Sequence, residues 1–237
     1  MKTNEAAAGE GLLDFFRRRG SIQEYDKGGQ IVHAEDDPFG VFYIDEGFVK
    51  VFSINNRGEE YIHVVYGPGE IFPIIWLVGH VRRRMFYDAL APCRLLRVSQ
   101  KELELVLRSQ AHICYEMVER AAEQFAIFLD RINNLQYRYA RERLIYYLLY
   151  LARRFGVADD RGCEIILRVS HQVIASNVNL SRESVGREID RLVRKNAVAI
   201  HRGHIVLQDI PALVAELPGT TVGTPDWWSS QLPPRAG

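Results

Sequence analysis

Residues 170–195 read SHQVIASNVNLSRESVGREIDRLVRK, two helical patterns joined by a tight turn, and the rest of the chain is best understood outward from them. Val173, Ile174 and Val178 share one face of the first segment, and the turn runs through Asn179 and Leu180. Ser181 suits the start of the second helix, because its hydroxyl accepts from backbone N–H groups that have no partner there. Val185, Ile189, Leu192 and Val193 then recur at helical spacing, which predicts a buried stripe and turns Arg182, Glu183, Gly186, Arg187, Asp190, Arg191 and Arg194 outward. Between residues 170 and 202, Arg182, Arg187, Arg191, Arg194, Lys195 and Arg202 face only Glu183, Glu188 and Asp190, a local excess of positive charge in a chain whose net charge is +0.

That edge has the chemistry to read DNA. An arginine fork pairs with guanine O6 and N7, a glutamate accepts from cytosine N4, and a helix N-terminus attracts phosphate. Arg182, Glu183 and Arg187 stand in the first two turns, the part of a recognition helix that reaches base edges. An ordinary amphipathic surface helix has the same periodicity, so the pattern alone does not choose between them. The next segment does favour DNA: residues 197–200 and 204–207 are apolar runs split by Arg202-Gly203, a basic β-hairpin placed where a wing would be.

SRESVGR (residues 181–187), the preceding HQVIA and the following RGHIVL resemble the winged helix-turn-helix of the cyclic-AMP receptor protein/FNR (Crp/Fnr) family of bacterial transcription factors. The resemblance implies that Arg182, Glu183 and Arg187 read bases, and that Gln172, Ser181 and His201 contact phosphates, with Arg202 of the wing turn beside them. Both arginines and the glutamate match the cyclic-AMP receptor branch, so a homodimer on a palindromic TGTGA-like site is expected.

Length and composition are compatible with this. A chain of 237 residues with 47% hydrophobic content has material for two small cores. No apolar run of membrane-spanning length and no secretory h-region appear, so a soluble, cytoplasmic protein is expected. Cys93, Cys114 and Cys163 form no paired framework and read as free thiols. Because the whole chain is neutral, attraction to DNA must be local to the C-terminal part.

The N-terminal part has a different texture. After a short helix over residues 12–18, glycines punctuate β-rich runs at residues 30–33, 41–44, 48–54, 60–66 and 94–98, as in a small sandwich or barrel. DEGFVKVF (45–52), NRGEE (56–60) and GPGEIF (67–72) resemble the β-roll of the same family. The expected fold is α+β: an N-terminal β-roll (a double-stranded β-helix resembling cyclic-nucleotide-binding domains) over residues 1–108, a dimerisation helix over 109–137, a winged helix-turn-helix over 138–217 and a flexible tail over 218–237. In that tail Trp227-Trp228 either docks on the body or stays loose.

Residues 111–138 contain neither Gly nor Pro, and Val118, Ala121, Phe125, Phe128, Ile132 and Leu135 alternate at spacings of three and four, a heptad seam. The same residues would serve a helix packed on its own domain; palindromic DNA and the family resemblance favour pairing of two chains. Asn133-Asn134 reads as a hinge into a helix over residues 139–155, and residues 156–162 read as a polar loop. The resemblance implies a contact for RNA polymerase there, as in some family members, although an ordinary exposed loop needs no such role.

The effector region departs from the family. Aligned on Gly69-Glu70-Ile71, the Gly-Glu pair that holds a cyclic nucleotide's ribose falls on Pro73 and Ile74, which offer neither that donor nor an acceptor. Arg83 falls on the phosphate-binding arginine, but Arg84 replaces its serine partner, and Phe128 and Leu129 replace the polar pair that reads adenine. The pattern argues against cyclic AMP. Ile74, Trp76, Arg82, Arg83, Arg84 and Tyr87, with Phe128 and Leu129, would instead suit an unidentified anionic, partly apolar effector, although a solvated basic loop uses the same residues.

Other chemistries fare less well. Three cysteines cannot hold a four-thiolate iron-sulfur cluster, and no haem-attachment motif surrounds His33, His63, His80 or His112. A haem- or redox-responsive regulator and a ligand-independent one stay as alternatives. No metal site is expected: His63 lacks the neighbours of a cupin-type cluster. Neither a nucleophile elbow nor a P-loop is present, and the chain is not expected to be an enzyme.

Overall fold

The computed structural model describes residues 11–79 and 84–218, which form two compact units divided between Ala126 and Ile127. In the first unit, α1 (Leu12–Arg19) is followed by β1 (Ser21–Tyr25), β2 (Gln30–Val32), β3 (Val41–Glu46), β4 (Val49–Ile54), β5 (Glu60–Tyr66) and β6 (Ile71–Phe72). Then come α2 (Ile74–Gly79), β7 (Phe86–Ala89), β8 (Cys93–Val98), α3 (Gln100–Ser109) and the start of α4 (Ala111–Gln136). The strands form two antiparallel sheets of four, ordered β1-β8-β3-β6 and β2-β7-β4-β5.

Alternation along the strands drives apolar side chains between these sheets. The rings of Phe42, Tyr66 and Tyr87 all stack nearly parallel to that of Phe72, at centroid distances of 5.2, 5.9 and 5.2 Å. Phe42 and Phe72 come from one sheet and Tyr66 and Tyr87 from the other, so an aromatic cluster joins the two. A second cluster sits under the helices, where Leu12, Phe15 and Phe16 of α1 pack with Leu77, Leu103, Val106, Ile113 and Met117. Gly47 turns the chain between β3 and β4 with φ +90, and a Cβ there would lie 2.2 Å from the Pro92 carbonyl, so only glycine fits.

Helix α4 is the long Gly- and Pro-free helix expected from the sequence, but it runs through Asn133 and Asn134 without a break. Asn134 is buried at 3% exposure, so the predicted hinge is not there. The chain leaves helical geometry only after Gln136, and α5 (Ala140–Phe155) begins where the Glu142 carboxylate accepts from the Tyr139 N–H at 3.1 Å. The polar loop expected at residues 156–162 is also corrected. It forms a hairpin of β9 (Gly156–Asp159) and β10 (Gly162–Ile165), with Gly162 at φ +130, because Cys163 and Ile165 have a buried face to fill.

The second unit is completed by α6 (His171–Val178), α7 (Arg182–Arg194), β11 (Val198–His201), β12 (His204–Leu207) and α8 (Ile210–Ala215), with strand order β11-β12-β10-β9. Leu144, Ile145, Leu148, Leu149 and Leu151 of α5 fill its core, as their spacing predicts. Arg143 ties the parts together. Its guanidinium donates to the Val178 carbonyl at the end of α6 (3.0 Å) and to the Tyr137 and Arg138 carbonyls (3.0 and 3.3 Å), acceptors left free where two helices stop. The tail expected beyond residue 218 lies outside the described residues.

Candidate nucleic-acid interface

The helix-turn-helix is held by local bonds that the sequence dictates. Ser170 caps α6 by accepting from the Val173 N–H at 3.3 Å, and Ser181 caps α7 by accepting from the Ser184 N–H at 3.1 Å. Between them Asn179 takes the left-handed conformation (φ 52), which asparagine tolerates better than most residues, and the Leu180 N–H reaches the Ala175 carbonyl at 3.1 Å. Val185, Ile189 and Leu192 are buried, as expected. Val193 is not: one residue past Leu192 rotates it about 100° off the stripe, and it is 37% exposed.

Arg182, Glu183 and Arg187 are exposed on the first two turns of α7. Arg187 donates to the Ser184 hydroxyl at 3.0 Å, which steadies its guanidinium on the solvent face. The Glu183 carboxyl is held below its usual range, first by its own backbone N–H, then by the Ser181 side chain and by Arg182 and Arg187, so it stays an acceptor. Other charges on and beside the helix are engaged within the protein. Arg191 pairs with Glu188 at 3.1 Å, Lys195 with Glu216 at 2.8 Å, and Arg141 reaches both Glu216 and Glu188, at 3.0 and 3.7 Å. Among the described residues Arg182, Arg187, Arg194 and Arg202 have no such ion pair.

The wing follows directly. β11 and β12 pair from Val198↔Leu207 to His201↔His204, and Arg202 (φ 49) and Gly203 (φ 84) make the turn. Gln172, Ser181 and Arg202 are exposed and His201 is half-buried, while the Ser181 hydroxyl is engaged as the helix cap. Sequence reasoning overlooked Arg168. Its Nε donates to His204 Nε2 at 3.0 Å while His204 Nδ1 faces the Ile165 carbonyl at 3.1 Å, which adds a cation beside the wing turn. Nothing in its spacing announces this, since Arg168 and His204 meet only through the packing of β10 against β12.

Of the residues assigned to an effector, the described ones of the first unit fall in more than one place. Ile74 and Trp76 on α2 pack against the cluster around Phe16, whereas Tyr87 lies in the aromatic cluster around Phe72, where burial pushes its phenol up to about 12. Arg84 is exposed, with Glu35 at 3.7 Å. Phe128 and Leu129 belong to the second compact unit, and Arg82, Arg83 and His80 lie outside the described residues. Along α4 the heptad seam is open. Val118, Phe125, Ile132 and Leu135 are 58%, 64%, 55% and 48% exposed, and Ala121 and Phe128 are partly so. No group of His, Cys, Asp or Glu among the described residues could hold a metal ion, and no helix there is long and apolar enough to cross a membrane.

A β-roll followed by a long helix and a capped, winged helix-turn-helix with a free basic face defines a two-module DNA-binding regulator. Residues 22–110 match the family model described as cyclic nucleotide-binding domain, and residues 142–216 that described as Crp-like helix-turn-helix domain. The chain belongs to the Crp/Fnr family of transcriptional regulators. It is 28% identical over 210 residues to the global nitrogen regulator of Synechococcus elongatus, covering 85% of this chain and 95% of that protein. To the cAMP-activated global transcriptional regulator CRP of Haemophilus influenzae it is 24% identical, covering 86% and 91%. The structure of FixK2 from Bradyrhizobium japonicum shares the fold, with a TM-score of 0.74 at 21% identity over 85% of this chain and 99% of that one.

Proposed function

We propose that this regulator acts as a homodimer, placing two α7 helices in successive major grooves of a palindromic TGTGA-like site about 34 Å apart. The observation that carries the reading is the exposed Arg182, Glu183 and Arg187 set at the capped start of a helix whose opposite face is buried. Dimerisation is supported by the open seam on α4, whose large apolar side chains recur at heptad positions and would be costly to leave in water. Gln172, Ser181, His201 and Arg202 contact phosphates and set orientation, while the three base-reading residues set sequence. Fluorescence anisotropy on palindromic and scrambled duplexes over a salt series tests this. A TGTGA-like palindrome should bind more tightly than the scrambled duplex by a thousandfold or more, on the order of specific regulators, and both should weaken steeply with salt. Equal affinity for the two duplexes sinks the reading.

The β-roll works without cyclic AMP in this reading. Pro73 and Ile74 lack the groups that hold a ribose, Ile74 is engaged in packing, and aromatic rings join the sheets. A second reading keeps an effector: an anionic, partly apolar ligand beside Ile74, Trp76, Tyr87 and the run Arg82 to Arg84, favoured by that concentration of cations. Native mass spectrometry of the purified dimer separates the two, since the second requires a bound anion and the first requires none. The β9–β10 hairpin is exposed enough at Asp160 and Arg161 to serve as the RNA polymerase contact, and the protein is assigned to the cytoplasm as a non-enzymatic regulator.

A further inference from the structure

The last turns of α4 carry a buried polar face where an apolar one would be ordinary. Asp130 is 5% exposed and Asn134, one turn further, 3%. Asp130 Oδ1 accepts from the Tyr146 hydroxyl at 3.3 Å, and Oδ2 lies 3.4 Å from Arg153 Nη1. Both partners are on α5, seven residues and thus two turns apart on one face. The Tyr146 ring also packs against that of Tyr137, 5.3 Å away, and its phenol is pushed well above the usual range by burial and then by Asp130, so it remains a proton donor. Half-buried Arg131, next in sequence to Asp130, is held below the usual guanidinium range by burial, an effect that Tyr147 and Tyr150 of α5 oppose.

Such a contact is a poor source of stability. Desolvating a carboxylate and a guanidinium offsets most of their attraction, and an apolar pair of similar volume often packs as well. What it supplies is direction. Two acceptors on one carboxylate, aimed at donors two turns apart, fix both the rotation and the axial position of α4 against α5, which an apolar seam would allow to slide. From α5 the connection is stiff. Arg143 holds the carbonyls of residues 137 and 138 and that of Val178, at the end of the helix preceding α7.

We propose that Asp130 is a positioning residue that registers the end of α4 against the DNA-binding domain and so sets the half-site spacing the paired recognition helices accept. The proposal rests on the homodimer reading above. Asp130 touches no base-reading residue; it acts through the angle between α4 and α5.

The test is anisotropy on palindromes whose central spacer is changed one base pair at a time, with the full-length protein and its Tyr146→Phe and Asp130→Asn variants. The unaltered protein should show a sharp optimum. Both variants should flatten the preference for that optimum roughly two- to thirtyfold, the range for mutations that alter coupling between sites, while affinity for a single half-site stays the same. Tyr146→Phe removes one hydroxyl and carries the test if Asp130→Asn does not fold. Variants that lose thermal stability but keep the full spacing profile would show a merely structural role and overturn the proposal. An unaltered protein with no spacing optimum would overturn the homodimer reading and this proposal with it.

Discussion

The two units place their motif residues in different ways. In the C-terminal unit the residues at the motif positions, Arg182, Glu183 and Arg187, are exposed and held ready by Ser181 and Ser184, while the fold beneath is built from Val185, Ile189 and Leu192. In the N-terminal unit Ile74, which with Pro73 we propose stands in place of a ribose-holding pair, is packed on the Phe16 cluster. The contrast teaches that a fold and a site have different requirements, because strand alternation and turn glycines answer to burial, whereas a site depends on a few polar atoms.

The largest test of this contrast falls on the N-terminal unit. Phe72→Ala removes the ring on which Phe42, Tyr66 and Tyr87 stack and should destabilise that unit by about 3–5 kcal/mol in chemical denaturation, the range for truncating a buried aromatic. A loss below about 1 kcal/mol would mean that the region is loose enough to admit a ligand. Next comes Arg187→Ala, expected to cost about 1–3 kcal/mol on the specific site and to relax base preference, whereas His201→Ala should weaken all sequences alike. Equal losses for Arg187→Ala on specific and random DNA would remove its base-reading role.

Ser181→Ala should cost about 1 kcal/mol of stability in the C-terminal unit by freeing the Ser184 N–H, and should leave base preference intact if the hydroxyl is mainly a cap. The smallest effect belongs to Glu183. Its folded value is lowered, so the stability it contributes is present above the ordinary 4.5 and is lost as pH falls through the lower folded value. Glu183→Gln should therefore flatten the acid side of the stability profile below about pH 4.5, read by thermal melts over pH, and an unchanged profile would show that the carboxylate gains nothing from the helix start.

How far the sequence could be read depended on how local the cause was. The helix-turn-helix, its caps and its wing follow from near neighbours in the chain, and β5 (Glu60–Tyr66) coincides with its apolar run. β1 was missed because Ser21–Tyr25 is a largely exposed edge strand without apolar alternation, and α2 because its continuous run Ile74–Gly79 has no helical period to detect. The hinge was misplaced because Asn133-Asn134 has the composition of a break, yet Asn134 is buried within the helix and the chain yields three residues later. Arg168 was invisible for a stronger reason: His204, its acceptor, is 36 residues away.

By itself the sequence determined the helix-turn-helix, the long Gly- and Pro-free helix and the glycine-turned strands, since each is set by period, capping and backbone freedom among near neighbours. Only the tertiary structure decided that Lys195 meets Glu216 and that Arg141 reaches both Glu216 and Glu188. It alone decided that Ile74 packs with Phe16, and that Asp130 meets Tyr146 and Arg153. Those are meetings between distant segments, and whether a charge is spent or free, or an apolar side chain packed or available, depends on what the folded chain brings within a few ångströms of it.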